Sequence, residues 1–277
     1  MKKRVVTFVI VPMAIVTVCV VLFVAINLLL KEYKSASDYL DDMMRTSGQR
    51  RWQAAFALSK KLQGREEGEK DQLSSDDVSK LLSLFEDSLG GDPQLTRYLA
   101  IALGQAGDHR AVLALQKALH LPDEDTLIYS LLALGHLSGH EAIEEMIHLT
   151  SHQSGAVRQV AVYVLGTFGK PALIKPISAR LGDPVPQVRW NSAIALARLG
   201  SDAGVEELKK IFLEFPPDVF SALIGKEKED LKLNAIRAAS KLGSEKFTSE
   251  FQQLSEKDES LKVRSAALEA LKNLSTK

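Results

Sequence analysis

The feature that most limits how this chain can fold is a period. Leu103, Leu134, Leu165 and Leu196 each follow the last by 31 residues. They sit in matching settings: RYLAIALGQAG, IYSLLALGHLSG, VRQVAVYVLGTFG and VRWNSAIALARLG. Leu58 in RRWQAAFALSKKL and Leu271 in VRSAALEALKNL extend the series outward, and Ala239 in LKLNAIRAASKLG fills the gap. A fixed repeat of this size marks a stack of small units, none of which can bury its apolar face alone.

Each unit reads as two helices. The quoted pattern is the second, helix B, and the first, helix A, reads as HRAVLALQKAL, EAIEEMIHLTS, PALIKPISARL and VEELKKIFLEF. Pro171 suits a first helical turn, and Asp108 or Asp202 suits an N-cap. Pro176 is expected to kink its helix A, because it lacks the N–H that the turn needs. The pairs Asp92-Pro93 and Asp183-Pro184 mark turns between A and B. Gly200 is placed to stop its helix in the left-handed conformation.

This pattern resembles the HEAT family, in particular its short variant named after phycobilisome lyase subunits. The resembling residues are Val157-Arg158, Val188-Arg189 and Val263-Arg264, followed by the Ala, Leu and Gly positions quoted above. The resemblance covers about residues 35–277 and implies an all-α solenoid of about seven helix pairs. It also implies a right-handed curved stack with A helices convex and B helices lining the concave side. Two inserts depart from the pattern, one near residues 63–75 and one near residues 215–230 with Pro216-Pro217. In the family the basic column pairs with a turn acid, and Asp183 and Asp258 lie six residues before Arg189 and Arg264. We read the column of Arg158, Arg189 and Arg264, joined by Arg51 and Lys232, as a structural ladder, because acids balance it.

Composition narrows the function classes. Lys plus Arg and Asp plus Glu both number 35, and this neutrality argues against a nucleic-acid partner. The lone cysteine, Cys19, excludes disulfides within the chain and thiol-ligated metal sites.

Residues 5–30 form an uncharged run of 26 residues, about 39 Å long as a helix against about 30 Å of bilayer core. A signal peptide's apolar region is shorter, so the run predicts a transmembrane anchor. Lys2, Lys3 and Arg4 precede the run, so residues 1–4 are expected to be a cytoplasmic stub. Residues 31–277 would then form a periplasmic solenoid tethered to a bacterial inner membrane.

On a helical wheel with the basic column at zero, positions one, five and eight point near 105°, away from the core. Trp52, Phe56, Ile101, Ile128, Leu132, Tyr163, Trp190 and Ile194 fall there, beside small residues such as Gly104, Gly135 and Gly166 at position eight. A contiguous apolar, aromatic lining predicts a surface that grips another protein or peptide, with the glycines admitting its backbone. The alternative is that curvature buries these side chains against one another.

Catalytic chemistry is sparse. His140, Glu144, His148 and His152 recur every four residues, but HEAIE lacks the second histidine of a zinc-binding HExxH. The HEAT-like deoxyhypusine hydroxylases carry several His-Glu pairs, and only His140-Glu141 occurs here. Phosphate loops, nucleophile elbows and a reactive cysteine are also missing. The expectation is therefore no catalytic residues, no cofactor, no bound metal and no enzyme: a membrane-tethered scaffold or adaptor. The alternative is a subunit of a HEAT-like enzyme such as a bilin lyase or isomerase.

Overall fold

A computed structural model describes residues 11–29, 34–64 and 73–275 of the chain. The first described helix is α1 (Val11–Leu29). Seven A–B pairs follow it. They are α2 (Ala36–Arg45) with α3 (Gln49–Leu62), α4 (Ser75–Ser88) with α5 (Pro93–Ala106), and α6 (Ala111–Ala118) with α7 (Glu124–His136). Next come α8 (Ile143–Leu149) with α9 (Gly155–Leu165), and α10 (Ile174–Ser178) with α11 (Pro186–Arg198). A short extra helix, α13 (Pro217–Ala222), separates α12 (Val205–Phe212) from its partner α14 (Gly225–Gly243). The last pair is α15 (Thr248–Lys257) with α16 (Leu261–Ser275). Among the described residues there are no strands.

Local chemistry sets the boundaries. Asp92 caps α5 by accepting the Gln94 N–H at 3.0 Å, with Pro93 in the first turn where no donor is needed. Asp123 caps α7 through the Thr126 N–H at 2.8 Å. Gly200 has φ +78° just past α11, and the Ser201 N–H reaches back to the Leu196 carbonyl at 2.9 Å. That arrangement closes the helix end as expected. Helix A of the fifth pair is only five residues long, preceded by a 3-10 turn over Pro171–Leu173. Pro176 therefore sits in a truncated helix, and no kinked longer one forms.

Consecutive B helices pack on one another from α3 to α16, and each A helix packs on the B helix that follows it. Marker leucines Leu58, Leu103, Leu134, Leu165 and Leu196 are fully buried between the layers. The small residues have a more specific task than the sequence suggested. A Cβ on Gly104 would stand 2.9 Å from Ala133, one on Gly135 would stand 3.0 Å from Val164, and one on Gly166 would stand 2.4 Å from Ala195. The position-eight glycines thus pack against the next B helix, and they set how closely the repeats stack.

The basic column is also rewired. Arg158 grips the Asp183 carboxylate through two bonds of 2.8 Å, and Lys232 likewise reaches Asp258 of the following repeat. The Arg189 guanidinium instead donates to the backbone carbonyl of Asp183 at 2.8 Å, and Arg264 donates to that of Asp258 at 2.6 Å. Each turn acid therefore joins the previous repeat, while its backbone is tied to its own. Arg97 and Asp123 make the same inter-repeat link, at 2.6 and 3.0 Å.

The membrane assignment is overturned. Among the described residues no helix is long and apolar enough to cross a membrane. Placement at a bacterial inner membrane, N-in with a periplasmic solenoid, loses its basis with the spanning helix. The expected stub at residues 1–4, together with residues 5–10 and residue 30 of the expected span, lies outside the described residues.

Candidate functional site

The B helices bury one side against the A layer and two flanks against their neighbours, which leaves one face for other contacts. Trp52 on α3 stacks on Tyr98 of α5, with ring centroids 6.1 Å apart. Phe56 meets the same Tyr98 edge-on at 5.1 Å, and the Lys60 ammonium lies 4.6 Å above the Phe56 ring. Farther along, Ile101 and Ile128 are half-buried, whereas Leu132 and Tyr163 keep 39% and 43% of their surface exposed. An apolar strip therefore runs across α3, α5, α7 and α9.

A concavity of about 390 Å³ opens in this strip. Ile101, Leu132 and Tyr163, one period apart, form its apolar floor, and Gln105, His136 and Thr167, again one period apart, form a polar edge. No Asp, Glu, Lys or Arg lines it. Such a surface suits an uncharged, partly apolar segment whose backbone amides can meet the amide, imidazole and hydroxyl groups of the edge.

The wheel missed this edge, along with Tyr98 and Tyr129. These residues fall at positions two and nine, near 200° and 180° on the wheel, so the polar edge lies roughly 75–95° from the direction expected. The missing signal was recoverable, because Gln105, His136 and Thr167 form a polar column at the same period.

Two of the expected lining residues are elsewhere. Trp190 is 1% exposed and Ile194 is 4% exposed. Helix α13, which belongs to the insert, lays Phe220 against Trp190 with ring centroids 4.7 Å apart. Trp190 and Ile194 accordingly join the second apolar core with Ile236 and Phe220, and Ile194 only borders a separate concavity of about 230 Å³ that it shares with Tyr163 and Leu231. The strip is thus open from α3 to α9, while Trp190 on α11 is covered by α13.

The histidines do not converge. His109 bonds to Glu141 at 2.9 Å on the surface, which raises the imidazole pKa and lowers that of the carboxyl. His140 packs edge-on against Phe168 at 4.9 Å, and His152 Nδ1 accepts the Ser154 N–H. Among the described residues no group of three His, Cys, Asp or Glu side chains is arranged to hold a metal ion.

Comparison with known proteins agrees with this architecture. The HEAT repeats family matches residues 143–222, and the PBS lyase HEAT-like repeat matches residues 97–120. The chain therefore carries HEAT repeats. No curated protein is similar in sequence. Among solved structures, the complex of CpcE and CpcF of phycocyanin lyase from Nostoc sp. PCC7120 is similar at 19% identity and a TM-score of 0.58. That match covers 88% of this chain and 96% of the other. The archaeal HEAT-like repeats protein from Thermococcus onnurineus NA1 is similar at 12% identity and a TM-score of 0.50, over 89% and 99% of the two chains.

The phycocyanin lyase likeness corrects the expectation that this chain is no enzyme. That expectation rested on missing motifs of compact catalytic domains. A chain of a lyase complex carries the same stack, so their absence excludes nothing, and enzyme-like function is open to this fold.

Proposed function

We propose that this chain is a HEAT-repeat protein whose B-helix face, from α3 to α9, holds a segment of a partner protein. The observation that carries the reading is the uncharged concavity floored by Ile101, Leu132 and Tyr163, continuous with the aromatic cluster of Trp52, Phe56 and Tyr98. Exposed aromatic and aliphatic side chains with a polar edge are the composition of binding hot spots. Ile128 extends the strip at its border. Photo-crosslinking residues introduced at Leu132 and Tyr163 should trap the same partner. A crosslinker at Leu113, which is 66% exposed on A helix α6, should not. Equal trapping from all three sites would overturn the reading.

A second reading is favoured by the likeness to the CpcE–CpcF complex: the chain serves as one subunit of a bilin lyase or isomerase. The same face would then meet the second subunit or the acceptor protein. Absorbance of the purified chain after incubation with a linear tetrapyrrole separates the two readings, since only a chromophore-handling subunit would shift and retain the pigment band.

A further inference from the structure

Helix α13 is an addition to the stack, not a layer of it. Helices α11 and α14 pack on each other directly, so the B series is continuous without it. Its backbone runs closely along no other element. Among the described residues, no hydrogen bond or ion pair ties Pro217–Leu223 to another helix; the Ser221 hydroxyl, for instance, donates to the Pro217 carbonyl of the same turn. Side chains make the attachment: Phe220, 1% exposed, is seated on Trp190, and half-buried Val219 and Leu223 pack against the same core. The two ends of the segment leave Leu213, Phe215 and Ile224 at 52–66% exposure.

Trp190 carries a second sign. Its indole Nε1 is buried and has no hydrogen-bond acceptor among the described residues. A buried donor left unmet costs free energy, and an occupant able to meet it would bind in preference to one that cannot. Phe220 offers that donor only carbon.

We propose that α13 is a displaceable internal occupant of the B face, and that a short helical segment of a partner replaces it over Trp190. The segment that fits is apolar, with an aromatic anchor in the place of Phe220 and an acceptor oxygen, from a side chain or a free carbonyl, for the Trp190 Nε1. This rests on the B face being a binding surface, and it extends that surface from α9 to α11 when α13 leaves. A six-residue helix is too short to be stable on its own, so it can be released without dismantling a folded unit. While tethered it holds the site at an effective concentration of about millimolar, which sets the threshold that a partner must exceed.

Hydrogen exchange on the full unmodified chain is the first test. Amides of Val219–Leu223 should exchange roughly 100-fold faster than those in the middle of α11 and α14. Equal protection would make α13 an integral part of the core and overturn the proposal. The second test uses a Trp52→Phe background, in which Trp190 alone reports fluorescence, and a synthetic peptide of residues 212–225 as the probe. Adding Phe220→Ala should shift Trp190 emission to the red. The peptide should then restore it, with a Kd about tenfold below that for the Trp52→Phe chain. No response of Trp190 to the peptide would overturn displacement. Neither measurement involves Leu132 or Tyr163, so failure here leaves the crosslinking result on the open strip standing, and the reverse also holds.

Discussion

Arg158 and Asp183 belong to successive repeats and are joined by two parallel hydrogen bonds of 2.8 Å, with both residues more than nine-tenths buried. Burial alone would raise the Asp183 pKa. The bonds from Arg158 and from the Val185 N–H outweigh it and hold the carboxyl below its ordinary value. The remaining guanidinium N–H groups reach the His152 and Gln153 carbonyls at 2.9 and 3.0 Å, so one side chain fixes a turn and an inter-repeat joint together.

Removing one partner of such a pair leaves a buried charge unmet. Arg158→Met should cost about 3–5 kcal/mol in urea denaturation, while Arg158→Met with Asp183→Asn should cost clearly less than the sum of the two single changes. Additive single and double variants would show that the pair is not coupled. In a nearest-neighbour array the loss should concentrate in the repeats flanking α9 and α11.

Acid should weaken a second joint. The Asp123 pKa is lowered from 3.8 to about 2, first by the Arg97 hydrogen bond and then, against burial, by the Thr126 side chain and backbone. A depressed carboxyl contributes stability above its unfolded pKa and loses it as pH falls through the folded one. The contribution is therefore complete above about pH 4 to 5 and fades toward pH 2. The shift converts to roughly 2 kcal/mol, an upper figure because about a quarter of each side chain remains in water. Asp123→Asn should lower stability at neutral pH and flatten its decline between about pH 4 and pH 2. An unchanged acid limb would show that Asp123 is not the group responsible.

The tightest seam predicts a steric cost. A methyl group on Gly166 would meet the Ala195 Cβ at 2.4 Å and its Cα at 3.0 Å, and backbone cannot rotate aside as a flexible side chain can. Gly166→Ala and Ala195→Leu should each destabilise by about 1–3 kcal/mol through overpacking. Gly169→Ala is a different control, because nothing lies within 4 Å of that site and its cost is conformational, from a φ of +67°. A wild-type melting curve for Gly166→Ala would mean that α9 and α11 do not approach as described.

The period made the helix pairs, the marker leucines and the Gly200 stop legible in the sequence, because each depends on residues within one or two turns of one another. The direction of the open face was legible only approximately. A wheel places Gly104 or Gly135 to within a sector, but the neighbour's crossing decides whether that sector meets solvent or Ala133 and Val164. The cover on Trp190 was not legible at all. Phe220 lies in the insert, outside the repeat, and no periodicity connects it to a residue 30 positions earlier.

Trp190 and Leu132 occupy corresponding sides of their helices, yet they should respond in opposite ways. Trp190 is 1% exposed under Phe220, and truncating a buried tryptophan removes both packing and transfer energy. Trp190→Ala should therefore cost about 3–5 kcal/mol of stability. Leu132 keeps 39% of its surface exposed and Tyr163 keeps 43%, so Leu132→Ala and Tyr163→Ala should cost less than half as much. They should instead weaken partner capture by about 2 kcal/mol, roughly thirtyfold in Kd, as loss of an interface anchor does. Melting temperatures and partner affinities of the three variants separate packing from recognition. A large stability loss for Leu132→Ala with unchanged capture would assign the open strip to the core and remove it from recognition.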